Sequence, residues 1–219
     1  MGTDIHVSIE KKDKHGKWWT IWNSHLFHTN WFSNKTDYKP ESSCLVKLAS
    51  RNYSLFAALG SLRGFNEFEM IKKQDFGVAN PGLPDDASKY TLYSLKDSDI
   101  HSTGYLSLKE LRKINKEIDT IYNTTKTEKP NEIALLEPQY KALKFWIQTI
   151  EESVELLVKE NLFGTFLSYT PDTNNEDFYI DPNLPVFAGE TNHEKLEIRK
   201  LWDNVVNEDD IRVIFGFDN

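Results

Sequence analysis

Only one cysteine, Cys44, and two methionines occur in the 219 residues. A lone thiol cannot close an internal disulfide, and its scarcity fits a reducing compartment. Its setting, Ser42-Ser43-Cys44-Leu45-Val46, holds no His or Lys to draw off the proton, which favours a packed thiol over a nucleophile. No stretch approaches the ~18 apolar residues of a membrane span, and no basic segment leads into an apolar one at the start. We therefore expect a cytoplasmic protein. Gly2 reads as local backbone freedom rather than a myristoylation signal, because Asp4-Ile5-His6 follows where small polar residues are wanted. Positive charge is also short: 26 Lys and Arg against 34 Asp and Glu give a formal net charge of −8. DNA and RNA are held largely by cations that displace counterions, so polymeric nucleic acid is not an expected partner. Small anions remain possible, since a few Arg side chains or a helix N-terminus suffice to bind them. Internal repeats, glycine-rich phosphate loops and paired-cysteine motifs are all lacking.

Aromatic residues, by contrast, are plentiful. At 13% aromatic and 39% hydrophobic, with 6 Trp and 13 Phe, the chain can bury enough apolar surface to offset the entropy of ordering. Its length suits a single domain over 1–219. The opening run Asp4-Ile5-His6-Val7-Ser8-Ile9-Glu10 alternates with period two, placing Ile5, Val7 and Ile9 on one face and Asp4, His6 and Ser8 on the other. This predicts a half-buried strand. A turn at Lys12 to Gly16 leads into Lys17-Trp18-Trp19-Thr20-Ile21-Trp22, an aromatic and β-branched partner for a hairpin.

Residues 23–44 and 65–98 lack a period and read as long ordered loops or lids, the second holding the turn cluster Asn80 to Asp86. Between them, Ser50 is placed to cap a helix that begins Arg51-Asn52-Tyr53, buries Leu55, Phe56, Leu59 and Leu62, and ends near Arg63-Gly64. After a short strand or loop at His101 to Leu106, Ser107-Leu108-Lys109-Glu110 forms a capping box that starts a helix with Leu111, Ile114, Ile118 and Ile121 on one face. Leu136, Tyr140, Leu143, Ile147, Ile150, Val154 and Leu157 recur at intervals of four and three. That stripe suits either a helix laid across a sheet or a coiled-coil seam, and the aromatic-rich surroundings favour the sheet. Short strands are expected near 166–169 and 178–180, a helix over 193–206, and a terminal strand from Ile211 to Asn219. Together these predict an α+β fold, with a central, mainly antiparallel sheet that includes both terminal strands and is covered by three to four helices.

On the last strand Ile211, Val213, Phe215 and Phe217 share one face, while Arg212, Ile214, Gly216 and Asp218 share the other. A polar Asp218-Asn219 directly after an apolar strand suggests an anchored end rather than a frayed one. If the first and last strands are neighbours, Asp4, His6, Arg212 and Asp218 would cluster.

With Met1-Gly2-Thr3-Asp4-Ile5-His6, Arg51-Asn52-Tyr53-Ser54-Leu55-Phe56, Gly82-Leu83-Pro84, His101-Ser102 with Tyr105-Leu106, and Arg212 through Asn219, the chain resembles a family of uncharacterised proteins. These are common in bacteriophages and some bacteria, begin Met-Gly-x-Asp-Ile-His and end Phe-Asp-Asn. Such relatives usually read His-Ser-His-Ser-Trp-Leu where this chain reads Ile100-His101-Ser102-Thr103-Gly104-Tyr105-Leu106, so one histidine of that pair is missing or displaced. The resemblance implies a phage protein acting in the cytoplasm of an infected bacterium. It carries no settled activity.

Three functions suit the residues. The first is binding of a small phosphorylated ligand, which in the phage setting implied by the resemblance would be a nucleotide immune signal of an anti-phage system, sequestered as counter-defence. Arg51 at a helix N-terminus and Arg63 a helix length away suit phosphate. Tyr53, Tyr105, Trp18 or Trp22 suit stacking on a base. Asp4, Asn52, Ser102, Arg212, Asp218 and Asn219 suit the polar edges of the ligand. The second is a hydrolase or phosphodiesterase in which His6 pairs with Asp4 or Asp218 and His101 supplies the partner acid, or in which these residues hold a divalent metal. The third is an inhibitor of a host enzyme, with Trp18, Trp19, Trp22, Phe27, Trp31 and Phe32 as its contact surface; against it, a hairpin with three Trp usually buries them. His15, His25, His28 and His193 fall in turn or loop contexts and are expected to face solvent.

Overall fold

The computed structural model describes residues 4–24, 48, 51–62, 67–96, 99–159 and 205–218. Five strands, β1 (Ile5–Lys12), β2 (Trp18–Asn23), β3 (Asn80–Pro81), β4 (Ile100–Ser107) and β5 (Ile211–Asp218), form one antiparallel sheet in the order β2-β1-β5-β4-β3. Among the described residues four helices accompany them: α1 (Tyr53–Gly60), α2 (Lys89–Leu95), α3 (Leu108–Glu128) and α4 (Ile133–Lys159). None of the described helices is long and apolar enough to cross a membrane.

The two terminal strands are neighbours, paired from Ile5 opposite Phe217 to Lys11 opposite Ile211. This register puts Ile5, Val7 and Ile9 of β1 on the same face as Val213, Phe215 and Phe217 of β5, all fully buried. Helices α1, α3 and α4 cover that face. The Phe56 ring of α1 lies 4.8 Å from that of Phe217, and Trp146 of α4 meets Phe215 edge-on at 6.1 Å. Leu136, Leu143, Ile147, Ile150, Val154 and Leu157 are all buried, so the stripe on α4 serves packing within the domain. The capping box at the start of α3 forms as its sequence predicts: Ser107 accepts from the Glu110 amide, and Glu110 accepts from the Ser107 amide.

Several expectations need correction. The N-cap of α1 is Asn52, whose Oδ1 accepts from the Leu55 amide at 3.1 Å, so Arg51 precedes the helix instead of opening it. The helix stops at Gly60, with Ser61 in a left-handed conformation (φ 55°, ψ 30°), before Leu62 can join it. Strand β1 is interior, flanked by β2 and β5, and both of its faces are covered, with Ser8 and Glu10 fully buried beside Val7 and Ile9. The cover comes from the stretch read as the 65–98 loop, which contains β3 and α2. Thr91 and Ser94 of α2 bond to Ser8, Thr20 and Asn23 of the sheet.

Trp18 and Trp22 are buried, as a three-Trp hairpin favours. Val205 to Asp210 forms loop and turn rather than the end of a helix. The rest of the 193–206 helix, the strands near 166–169 and 178–180, Phe27, Trp31, Phe32, Cys44, Arg63, His25, His28, His193 and Asn219 lie outside the described residues, as does nearly all of the 23–44 loop.

Candidate functional site

At the end of the sheet where β1 begins and β5 ends, chain segments far apart in sequence bring four chemically active side chains together. The Asp4 amide donates to Asp218 Oδ1 at 2.6 Å, and the Asp218 amide returns a bond to the Asp4 carbonyl at 3.2 Å. The second bond continues the backbone pairing past Ile5 opposite Phe217, and the first, to the side-chain carboxylate, aligns the two aspartates. His6 sits opposite Gly216, on the face shared by Asp218, and its Nε2 lies 3.1 Å from Asp218 Oδ2. From just before α1, Arg51 grips Asp4 with two parallel bonds, Nε to Oδ1 at 2.8 Å and Nη2 to Oδ2 at 2.9 Å. Asn52 fixes where that helix begins and so where Arg51 stands.

The four residues are graded in exposure. His6 and Asp218 keep 19% and 29% of their side-chain surface, Asp4 and Arg51 37% and 49%, so an inner pair is backed by an outer pair that solvent reaches freely. Burial alone would raise the pKa of Asp218. The Asp4 amide, the His6 ring and the nearby Arg51 charge outweigh it and hold the carboxyl below its ordinary value. The bond to Asp4 raises Arg51 further, so the guanidinium stays charged. Two carboxylates, Asp4 and Asp218, face one guanidinium, Arg51.

Gly216 shapes the floor of this site. A Cβ there would lie 2.4 Å from the Ile100 Cγ2 and 3.2 Å from the Thr103 Cγ2, so the β4 side chains close over the glycine on one flank while His6 lies on the other. Residues Ser102 and Thr103 form a bulge in β4, and Ser102 takes a left-handed φ of 48°, costly for a residue with a side chain.

The remaining expected site residues lie elsewhere. His101 pairs opposite Phe217, whereas His6 pairs opposite Gly216. Successive residues of a strand point to opposite faces, so β5 separates the two histidines, and the acid/base partnership expected of them is not assembled. His101 Nδ1 lies 3.0 Å from Ser102 Oγ. Asn52 is occupied with capping. Tyr53 is 43% exposed and packs edge-on to Phe56, and Tyr105 lies opposite Ile214 and Asn80 on the far side of the sheet from β1. Arg212 is six residues from Asp218, roughly 20 Å along the strand, and pairs with Glu10 and Asp86. His15 is exposed in a turn, as expected. Among the described residues, no group of three or more His, Cys, Asp or Glu could hold a metal ion, so Asp4, His6 and Asp218 do not make up such a site.

Sequence reasoning missed the roles of Glu10 and Asp86. Glu10 shares the parity of His6 and Ser8 and was open to detection; Asp86, in a turn cluster, gave no signal. Comparison with protein-family models, with curated proteins and with solved structures finds no match to this chain.

Proposed function

We propose that the protein binds a small phosphorylated, hydroxyl-bearing ligand, of which a nucleotide is the type, at the site formed by Asp4, His6, Arg51 and Asp218. The observation that carries this reading is the outer Arg51–Asp4 pair. An exposed ion pair is screened by solvent and contributes little, so a phosphate that offers the same bidentate geometry can take the guanidinium at little cost. Asp4 is then released to accept from ligand hydroxyls, while the inner His6–Asp218 pair stays as a fixed wall. The second carboxylate of the site favours a ligand that carries hydroxyls as well as phosphate. In the phage setting implied by the family resemblance, such binding would sequester a nucleotide immune signal.

The His6–Asp218 contact favours a second reading, hydrolysis of such a ligand. A carboxylate that orients one ring nitrogen of a histidine prepares the ring for general acid/base work. In that case His6 would handle the proton, Asp218 would orient it and Arg51 would hold the phosphate.

The test is to incubate the pure protein with cyclic dinucleotides, cyclic trinucleotides and ADP-ribose derivatives, then analyse the small molecules by mass spectrometry. An unchanged nucleotide released on heating, and lost from Arg51→Ala, supports binding. A new mass that disappears with His6→Ala makes the protein a hydrolase. Neither retention nor turnover across the panel would contradict both readings and turn attention to a host protein as the partner.

A further inference from the structure

The same face of the sheet carries a second polar group at its opposite end. Arg212, 7% exposed, is set against the fully buried Glu10, with both Nε and Nη2 at 2.8 Å from Glu10 Oε2. That pair lies within the sheet. Two nitrogens of the fork also reach the segment outside it: Nη2 donates to the Asp86 carbonyl at 3.0 Å, a main-chain bond, and Nη1 is directed outward. It converges with the Trp18 indole N–H on a single carboxylate, that of Asp86: Nη1 donates to Oδ1 at 2.6 Å and Trp18 Nε1 to Oδ2 at 2.9 Å. Arg212 also stacks 3.9 Å from the centroid of the Trp18 ring, and Lys12 Nζ lies 4.5 Å from the same centroid. Arg212 and Lys12 against Glu10 leave one net positive charge. Asp86 cancels it.

Three features distinguish this from an ordinary buried ion pair. The donors are rigid, since Arg212 is fixed by Glu10 and by the Trp18 ring. The acceptor comes from outside the sheet, on the segment that leads into α2, and its side chain is 68% exposed, so solute anions can reach it. Among the described residues, that segment bonds to the sheet through polar groups, the Ser88 amide to Glu10, the Ser88 hydroxyl to Thr20, Thr91 to Ser8 and Thr20, and Ser94 to Asn23, and it also buries Leu95. Water can replace such bonds with little net loss, and a seven-residue helix has little stability of its own.

We propose that Arg212, Trp18 and Lys12 form a seat for an oxyanion, occupied by the chain's own Asp86, and that a phosphate or carboxylate group from outside displaces Asp86 and frees the segment 86–95 from the sheet. The two N–H donors suit two oxygens of one anion, the geometry in which they now hold a carboxylate. This seat is separate from the Asp4–His6 site and does not depend on its ligand.

The Trp18 indole N–H resonance, in spectra of the full-length chain, reads the seat directly. Inorganic phosphate and acetate are titrated separately into the unaltered protein and into Asp86→Ala, at constant ionic strength made up with chloride. The seat predicts a saturable shift of Trp18 in Asp86→Ala at concentrations at least tenfold lower than in the unaltered protein. It also predicts that in the unaltered protein the same anion speeds amide exchange at Thr91, Leu92 and Leu95. Saturation by either anion supports the seat and identifies the group it prefers. An unmoved Trp18 resonance in Asp86→Ala, an equal response in both proteins, or slower exchange in α2 would overturn it. Asp86→Ser removes the charge while keeping a turn-forming residue, and provides the same comparison if the alanine variant does not fold.

Discussion

At Gly216 the side chain is absent for a steric reason that bears on the site. A methyl group there would meet Ile100 at well under contact distance, and Ile100 has the β4 bulge behind it. We expect Gly216→Ala to destabilise the protein by about 1–3 kcal/mol, the usual cost of overpacking, read as a lower midpoint in urea. An unchanged midpoint would mean that β4 gives way easily. Asn52 is a second residue with a definite role. Asn52→Ala removes the cap of α1 and should cost about 1 kcal/mol, and because Arg51 adjoins the cap, the variant should also weaken any ligand that Arg51 holds. Retained affinity alongside lost stability would show that Arg51 is positioned by Asp4 alone. The cap was half legible in the sequence: Ser50 and Asn52 are both good capping residues two positions apart, and only the helical phase of Leu55, Phe56 and Leu59 against the sheet decides between them.

Elements show where periodicity informs and where it does not. The capping box of α3 and the four-and-three stripe of α4 are regular signals that take the predicted form, whereas the alternation in β1 gives the strand but not its burial. Helix α2 gave no such signal, because Lys89-Tyr90-Thr91-Leu92-Tyr93-Ser94-Leu95 spans fewer than two turns and turns hydroxyls toward the sheet in place of an apolar stripe. Strand β1 therefore read as half exposed, although its polar face is buried under hydroxyl partners. The bulge at Ser102 and Thr103 was equally hidden, and with it the face on which His101 falls.

One junction between elements carries a pH signature. Glu110 at the start of α3 accepts from Lys73 at 2.7 Å, from Asn80 and from the Ser107 amide, which ties the 73–80 segment to β4 and α3. Burial opposes ionisation, yet Lys73, Ser107 and Asn80 together bring its pKa down from 4.5 to about 2. A carboxyl depressed in the folded state adds stability that is fully present above its ordinary value and is lost as pH falls through the folded one. Because a third of the side chain is exposed and screened, we expect roughly 1–2 kcal/mol, lost between about pH 5 and pH 2. Urea unfolding across that window should show the loss, and Glu110→Gln should flatten it. A slope that survives in Glu110→Gln would assign it to other carboxyls, Asp218 among them.

Across the whole molecule, the sheet has two unlike faces. One is apolar and sealed by α1, α3 and α4, and the other is lined with His6, Ser8, Glu10, Arg212 and Asp218. The pairing of the terminal strands creates this second face and brings residues 4 and 6 each within bonding distance of Asp218, with Arg51 reaching in from beside α1. Its general outline could be anticipated from two alternating strands at the two ends of the sequence. The distance between Arg212 and Asp218 could also have been read, since residues six apart on a strand cannot share a small site.

The central claim, that Asp4, His6, Arg51 and Asp218 form a ligand site, is tested most directly by following the His6 ring nitrogens by NMR as each nucleotide of the panel is added. Binding at these four residues predicts a saturable change at His6 for at least one phosphorylated ligand, abolished in Arg51→Ala while the His6–Asp218 contact persists. A ligand that binds and leaves the His6 ring unchanged, or that binds Arg51→Ala equally well, would place the site elsewhere.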